Sequence, residues 1–386
     1  MIDRKMIKIL PPMRKWRWQS KDTAWLWGIC LSAFLAVLNG GCLEAIDIDT
    51  PPNIQESLVI QGKLVVGRPA HAEVLISKLF TFSADSRQPV NARSVILFDE
   101  DGNKIELEDQ GQGRYALEIP TDHPSFKVEL GRSYGVEVNT FDNRTFESGM
   151  ELADPVPRMD EVEFRFVERE IIDHQGISKI QKYLLYTVNT PLRPAGAGDR
   201  VRLGWEYQHT FKINDTPYQQ SVEQKVCYVT ENLNVVDVNV IDAAALAADY
   251  LDDYELLEVT VGRVYGEGLY LRVIQESLTE TAYDYFDQVA ENTGRTGNMF
   301  EAPPGKVVTN IRNIADDTDE AFGFFYVTQQ DTIHKYVDPE LVGSPPAYCP
   351  PPNGLLNESG NCVDPICCDC AGVSNSTTVK PDYWGE

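Results

Sequence analysis

Thiols are the most reactive side chains of this 386-residue chain, which has eight cysteines and only five histidines. Six of the thiols, Cys227, Cys349, Cys362, Cys367, Cys368 and Cys370, lie in the second half. In an oxidising compartment an even set of this kind reads as disulfides, in a connectivity that spacing leaves open. Adjacent Cys367 and Cys368 would strain the peptide if bonded together, so each is expected to reach a different partner. Cys227 is expected to staple the tail to the body. Four thiolates between Cys362 and Cys370 also invite a zinc knot. The spacing has no C-x-x-C pair, however, and neighbouring residues do not easily point into one tetrahedron, so the expectation is disulfides and no metal.

The histidines, His71, His123, His174, His209 and His334, form no H-x-x-x-H, H-x-H or H-E-x-x-H pattern. There is no G-x-S-x-G and no glycine-rich loop between strand and helix. No catalytic residue is therefore assigned, and the chain reads as non-enzymatic. Two acidic groups, Asp249, Asp252, Asp253 with Glu255 and Asp316, Asp317, Asp319 with Glu320, lack calcium-loop spacing. They are expected to be solvated, and no cofactor is expected beyond a covalent lipid. Trp205, Tyr207 and Trp384 would make a sugar or peptide platform if exposed, but aromatics in strands are more often core.

The lipid expectation rests on Cys42. An uncharged, mostly apolar run from Thr23 to Leu38 follows seven basic residues, and Gly40-Gly41 stand directly before the cysteine. A basic leader, an apolar stretch, small residues and then cysteine is the layout of a bacterial lipoprotein signal. Sixteen residues of helix span about 24 Å, short of a hydrocarbon core of about 30 Å, which argues against an uncleaved anchor. Residues 1–41 read as the signal peptide and 42–55 as a tether. Without the leader, 27 basic residues face 57 acidic ones, a net charge of −30 against −25 for the whole chain. Such a body repels nucleic acid and anionic headgroups.

The elements that would position any site are mostly strands. Residues 56–153 contain seven short alternating or apolar runs, from Leu58–Val66 to Thr145–Gly149, the rhythm of an immunoglobulin-like sandwich. Val95 to Phe98 is apolar on both faces, as in a sandwich interior. Asp101-Gly102 marks a hairpin in preference to a calcium loop. Asp154-Pro155-Val156-Pro157 breaks the pattern. A second β-rich domain is expected over 159–343, with a short helix at Ala243 to Tyr250 capped by Asp242. A longer helix follows a Ser277/Glu280 capping box, with Leu278, Ala282, Tyr285, Phe286 and Val289 as its apolar stripe. Residues 344–386 read as a cysteine-rich tail packed on that domain. The fold class is mainly β, with one or two short helices.

Scattered fragments carry a family resemblance. They include the Cys42 box with Asp47-Ile48-Asp49, Leu58-Val59-Ile60-Gln61-Gly62, Gly113-Arg114-Tyr115, Tyr134 with Val136 and Val138, and Pro155-Val156-Pro157 before Met159-Asp160. Further on come Gln275 to Tyr285 (Q-x-S-L-x-x-x-A-Y-x-Y), Ala302-Pro303-Pro304, Asn310-Ile311, Gly323-Phe324-Phe325 and Lys380-Pro381-Asp382-Tyr383-Trp384. In this order they resemble a family of Bacteroidetes outer-membrane lipoproteins, domain of unknown function 4249, over nearly all of the chain after Cys42. Asn39 and the doubled Cys367-Cys368 depart from that pattern. The resemblance implies lipid anchorage in the outer membrane, in a leaflet left open, and service beside a TonB-dependent β-barrel receptor. It implies no reaction. Asp331-Thr332-Ile333 resembles the O-glycosylation acceptor of that phylum, with Thr332 as the modified residue. The expected function is a non-enzymatic accessory or binding subunit. A structural or adhesive envelope protein, or an accessory to a surface glycan-active hydrolase, are the alternatives.

Overall fold

The computed structural model describes residues 57–79, 88–196, 198–217, 223–233, 238–294, 307–316, 318–319, 321–349, 351 and 362–385. The leader, Cys42 and the tether lie outside them, as do Ala302-Pro303-Pro304, Asp317 and Glu320. No helix among the described residues is long and apolar enough to cross a membrane.

The protein is mainly β, and its N-terminal part is an immunoglobulin-like sandwich. One sheet runs β1 (Leu58–Val66), β2 (Ala70–Lys78), β6 (Arg114–Ile119), β5 (Glu108–Gly111). The facing sheet runs β4 (Lys104–Glu106), β3 (Ala92–Asp99), β7 (Ser133–Thr140), β8 (Thr145–Ser148), with β9 (Glu151–Leu152) beside β7. Alternation sets the faces: Leu58, Ile60 and Leu64 point into the core, while Gln61 and Lys63 point out. Of the doubly apolar run, only Val95 and Leu97 enter the core. Ile96 and Phe98 are half-buried on the other face, where Phe98 packs over Gly135 beneath Lys104. The Asp-Gly hairpin forms, with Gly102 at φ 81° and the Asp99 carboxylate accepting from the Asp101 and Asn103 amides. Tyr134, at the start of β7, accepts from the Glu129 amide at 2.7 Å and donates to the Lys127 carbonyl at 2.9 Å. This is the tyrosine corner of such sandwiches.

A second core lies between a three-stranded sheet and the wing of a larger one. The small sheet is β10 (Glu161–Ile172), β11 (Ser178–Pro191), β15 (Tyr250–Thr260). The large wing is β19 (Ser376–Thr377), β13 (Val226–Asn232), β12 (Arg202–Asn214), β16 (Leu269–Leu278), β18 (Phe325–Val337), with β14 (Asn239–Asp242) also on β12. Leu184, Tyr186, Val188, Phe211, Leu271 and Val273 fill the space between.

The two sandwiches share a sheet. β1 pairs in parallel with β18, from Gly62 opposite Phe325 to Val66 opposite Gln329, so one ten-stranded sheet passes through both. Gly323, at φ 94°, makes the approach: a Cβ there would stand 2.1 Å from the Ile60 carbonyl oxygen. The late strand β17 (Ile311–Asn313) adds to β8, and Ile311, Ala321, Phe325 and Val327 complete the first core. The stretch 159–343 therefore supplies both cores.

The linker between them is held by side chains from the second half. Val156 donates to Gln329 at 2.9 Å, Met159 to Asp331 at 2.7 Å, and Gln275 to the Pro157 carbonyl at 2.8 Å.

Two helical expectations change. Ala243 to Tyr250 is not a helix: Asp242 caps as expected, accepting from Ala244, but the turn ends at Ala245 and Tyr250 opens β15 against Pro191. Strand pairing wins over a short alanine run. Helix α1 (Glu280–Thr293) forms and ends at Gly294, but its N-cap is Thr279, accepting from Ala282 at 3.1 Å. Ser277 is retained in β16, whose ladder with β12 runs on to Leu278, and it donates instead to the Asp154 carbonyl at 2.7 Å.

All six distal cysteines are paired, as Cys227–Cys370, Cys349–Cys367 and Cys362–Cys368. Adjacent Cys367 and Cys368 part to different partners, and Cys227 holds the tail against the second core.

Candidate functional site

The site is on the outer face of the ten-stranded sheet, away from both cores. Register puts Lys63 beside Tyr326, Glu276 beside Gln330, Glu206 beside Ile274 and Lys63 beside Glu73, all on that face. Helix α1 covers one end. Tyr285 stacks on Phe324 at 4.7 Å, Phe286 meets Tyr326 edge-on at 5.2 Å, and Leu278 and Ala282 complete the contact. The predicted apolar stripe of α1 is thus a packing face. The C-terminal tail covers the other end. Tyr383 stacks on His334 at 4.1 Å and hydrogen-bonds Thr210 at 2.8 Å, while Trp384 packs on Tyr270 and Tyr228.

Between these covers runs an open groove. A smaller compartment of about 250 Å³ lies against α1, walled by Tyr285, Phe286, Phe324 and Tyr326. A larger one of about 700 Å³ follows, lined by Gln208, Asn232, Arg272, Ile274, Gln330 and His71 among others. Lys63, Glu73, Leu75 and Glu206 line both.

Lys63 is the centre of the groove. Its ammonium stands 2.7 Å from Glu206 and 3.0 Å from Glu276, over the ring of Tyr326. β1 and β12 are three strand spacings apart, about 14 Å in a flat sheet. Two long side chains lean together across that span to close the contact. The pair thereby forms a bar between the two compartments. Beneath it Glu276, nearly buried, also accepts from Gln330 at 2.6 Å and from the Tyr326 hydroxyl at 3.0 Å.

The electrostatics follow from this crowding. Burial pulls the Lys63 ammonium down, but the Glu276 and Glu206 carboxylates outweigh it and hold its pKa above the ordinary lysine value. Burial and then the charge of Glu276 raise Glu206, against the pull of Lys63. Burial and the same carboxylates push the Tyr326 hydroxyl far up, so it stays a proton donor. Burial, helped by Arg272, lowers His334. Elsewhere on the face Glu73 pairs with Arg114, and Arg272 donates to Gln208 at 2.9 Å.

Most residues singled out in the sequence fall elsewhere. Trp205 and Tyr207 are buried core side chains that, like His71, also border the larger compartment, and the Trp205 indole donates to Gln275 at 3.1 Å. Asp249 pairs with Arg193 and Arg200, Asp253 with Arg165, and Asp319 with Arg144. Thr332 is half-buried in β18, opposite Ile274 of the groove floor. Lys63, Glu206, Arg272 and Glu276 were not singled out. For Arg272 and Glu276 a signal was present: Arg272, Gln275, Glu276 and Ser277 interrupt an otherwise apolar strand that lies mid-sheet.

The described residues thus define a class: a mainly β protein of two fused sandwiches with a polar groove on their common sheet. The chain belongs to the family described as Domain of unknown function (DUF4249), whose model matches residues 44–334. No curated protein and no solved structure matches it.

Proposed function

We propose that this protein is a non-enzymatic, lipid-anchored outer-membrane subunit that binds a ligand in the sheet groove beside a TonB-dependent β-barrel. The observation that carries the reading is the commitment of the groove's charges. Glu206 and Glu276 share one ammonium, Glu276 is further held by Gln330 and Tyr326, and Glu73 is paired with Arg114. Each of these carboxylates is held in place by those partners, the arrangement of a recognition group. The lipoprotein layout around Cys42 and the acidic body support the address.

A mild-detergent purification of the tagged protein from native outer membrane tests the assignment. Stoichiometric recovery of one β-barrel is expected. Recovery of the protein alone overturns it and favours the adhesive reading. That second reading has its own support in the far end of the β10–β11 hairpin, where Ile172, Ile177 and Ile180 are 74%, 58% and 61% exposed. Replacement of Cys42 by Ala is expected to release the protein from membranes.

A further inference from the structure

The chemistry of the groove narrows its ligand, on the premise that the groove is the binding site. We propose that it takes a neutral oligosaccharide, with one ring in the aromatic compartment and further rings along the polar strip.

Charge is the first argument. Three cations, Lys63, Arg114 and Arg272, face three carboxylates, Glu206, Glu276 and Glu73, so the groove carries no net charge, although Arg272 itself has no carboxylate within ion-pair distance among the described residues. A charged ligand would surrender hydration to a groove with no net charge to offset the loss.

Side-chain type is the second. The strip presents Gln208, Asn232, Gln330, Arg272 and Glu206. These are planar groups with two or more donor or acceptor positions each, the complement of neighbouring sugar hydroxyls that donate and accept at once. Arg272 spends one terminal nitrogen on Gln208, its Nε is buried without a hydrogen-bond partner, and its other terminal nitrogen is left for the groove. Glu206, 48% exposed, keeps a second oxygen clear of Lys63.

Shape is the third. The aromatic compartment has room for one hexose ring, whose C–H face packs on aromatic side chains, and Tyr285 and Phe286 supply the wall. From β12 to β2 the strip crosses five strands, about 19 Å, which is long enough for several linked rings. An extended peptide binds sheets by adding to an edge, and this floor is the mid-sheet face, where backbone groups are already paired. A ligand filling both compartments must displace the Lys63–Glu206 bar. The Glu206 end of that pair is half-exposed and opposes this weakly, and Lys63, 24% exposed, retains Glu276.

The test is affinity electrophoresis and titration calorimetry of the full-length protein in detergent. The probes are neutral hexasaccharides of α- and β-linked glucose, xylose, mannose and N-acetylglucosamine, with hexagalacturonate and a mixed hexapeptide pool for comparison. At least one neutral hexasaccharide is expected to bind. Affinity should fall tenfold or more in Tyr285→Ala and Arg272→Met, and severalfold in Glu206→Gln, which alters a half-exposed side chain and keeps the fold. Ile180→Ser, on the distant hairpin, should bind as the parent does. Absence of binding across the neutral panel, preference for the acidic or peptide probes, or binding indifferent to all three groove variants overturns the proposal. Barrel co-purification separates this from failure of the premise about the partner. A barrel-bound protein that binds no sugar loses only the ligand class, whereas a sugar-binding protein that purifies alone loses only the barrel.

Discussion

At the residue scale, the groove is held by one lysine whose partners are 143 and 213 positions away in sequence. The two ion pairs are unequal because their burial is unequal. The Glu276 side chain is 5% exposed and that of Glu206 48%. Replacing Lys63 by Met strands a buried carboxylate with only neutral donors and should cost about 3 kcal/mol. Glu206→Gln should cost less than about 1 kcal/mol. Urea denaturation of the two variants checks the ratio, and equal losses would show that Glu276 is not the buried anchor. Glu151 poses the opposite case, because it is buried and accepts from Thr279, Thr281 and Asn310 but pairs with no cation among the described residues. Burial raises its pKa despite those hydrogen bonds. The folded state then holds a proton that the unfolded chain releases, so this carboxyl's contribution is full at acid pH and is lost as pH rises above the ordinary carboxylate range. Glu151→Gln should flatten that fall and leave the protein at least as stable at pH 7, as measured by denaturation at stepped pH. Nothing in the sequence marks Glu151 among 59 acidic residues; its burial is created by α1 and Asn310 arriving from far downstream.

At the element scale, periodicity was a good guide where a strand has one wet face and a poor one where pairing overrides composition. β1, β6 and β7 are legible because apolar and polar residues alternate against a core. The β10–β11 hairpin is longer than its apolar pattern, since its outer half alternates charged residues with only a few apolar ones and is held by the twelve-residue ladder of β10 on β11. The alanine run after Asp242 looks helical in isolation and loses to β15, whose ladder with β11 is already being laid down by Tyr250. Cysteine arithmetic located the staple without its partner: Cys227 was expected to hold the tail, and Cys370 is the residue it meets. Both sulfurs are fully buried in the second core, and the bond closes a loop of 143 residues. The paired replacement of Cys227 and Cys370 by Ala should therefore cost about 2–5 kcal/mol. The same change should loosen β19 and the Tyr383–Trp384 cover on the sheet. Loss of stability with unaltered protease resistance of residues 371–385 would refute the coupling between staple and cover.

At the scale of the whole molecule, several of the fragments that carry the family resemblance meet at the joint between the sandwiches. Gly62 lies against Phe325, Gly323 lets Phe322 and Phe324 reach the β1 backbone, and Asn310 hydrogen-bonds both backbone groups of Phe325 at 3.0 and 2.7 Å. Pro157 and Met159 are held by Gln275 and Asp331. A linear reading places a boundary at the Pro-x-Pro break, because two prolines interrupt a ladder whichever structure surrounds them. It does not show that the chain returns 150 residues later to complete the first sandwich. That return has a testable consequence. A fragment of residues 57–153 has the strand count of an immunoglobulin-like domain, but without β18 its first strand is an exposed edge, and its core lacks Phe325, Val327, Ile311 and Ala321. Phe325 is fully buried, and loss of one such ring costs about 3–5 kcal/mol. That is already a large share of the roughly 5–15 kcal/mol that holds a domain folded. The fragment should therefore be unfolded or molten by near-ultraviolet circular dichroism and amide exchange, while the full chain loses both cores in one cooperative transition. A fragment with dispersed, protected amides would show that the first sandwich stands alone, and the groove would then lie between two independent domains instead of on one continuous sheet.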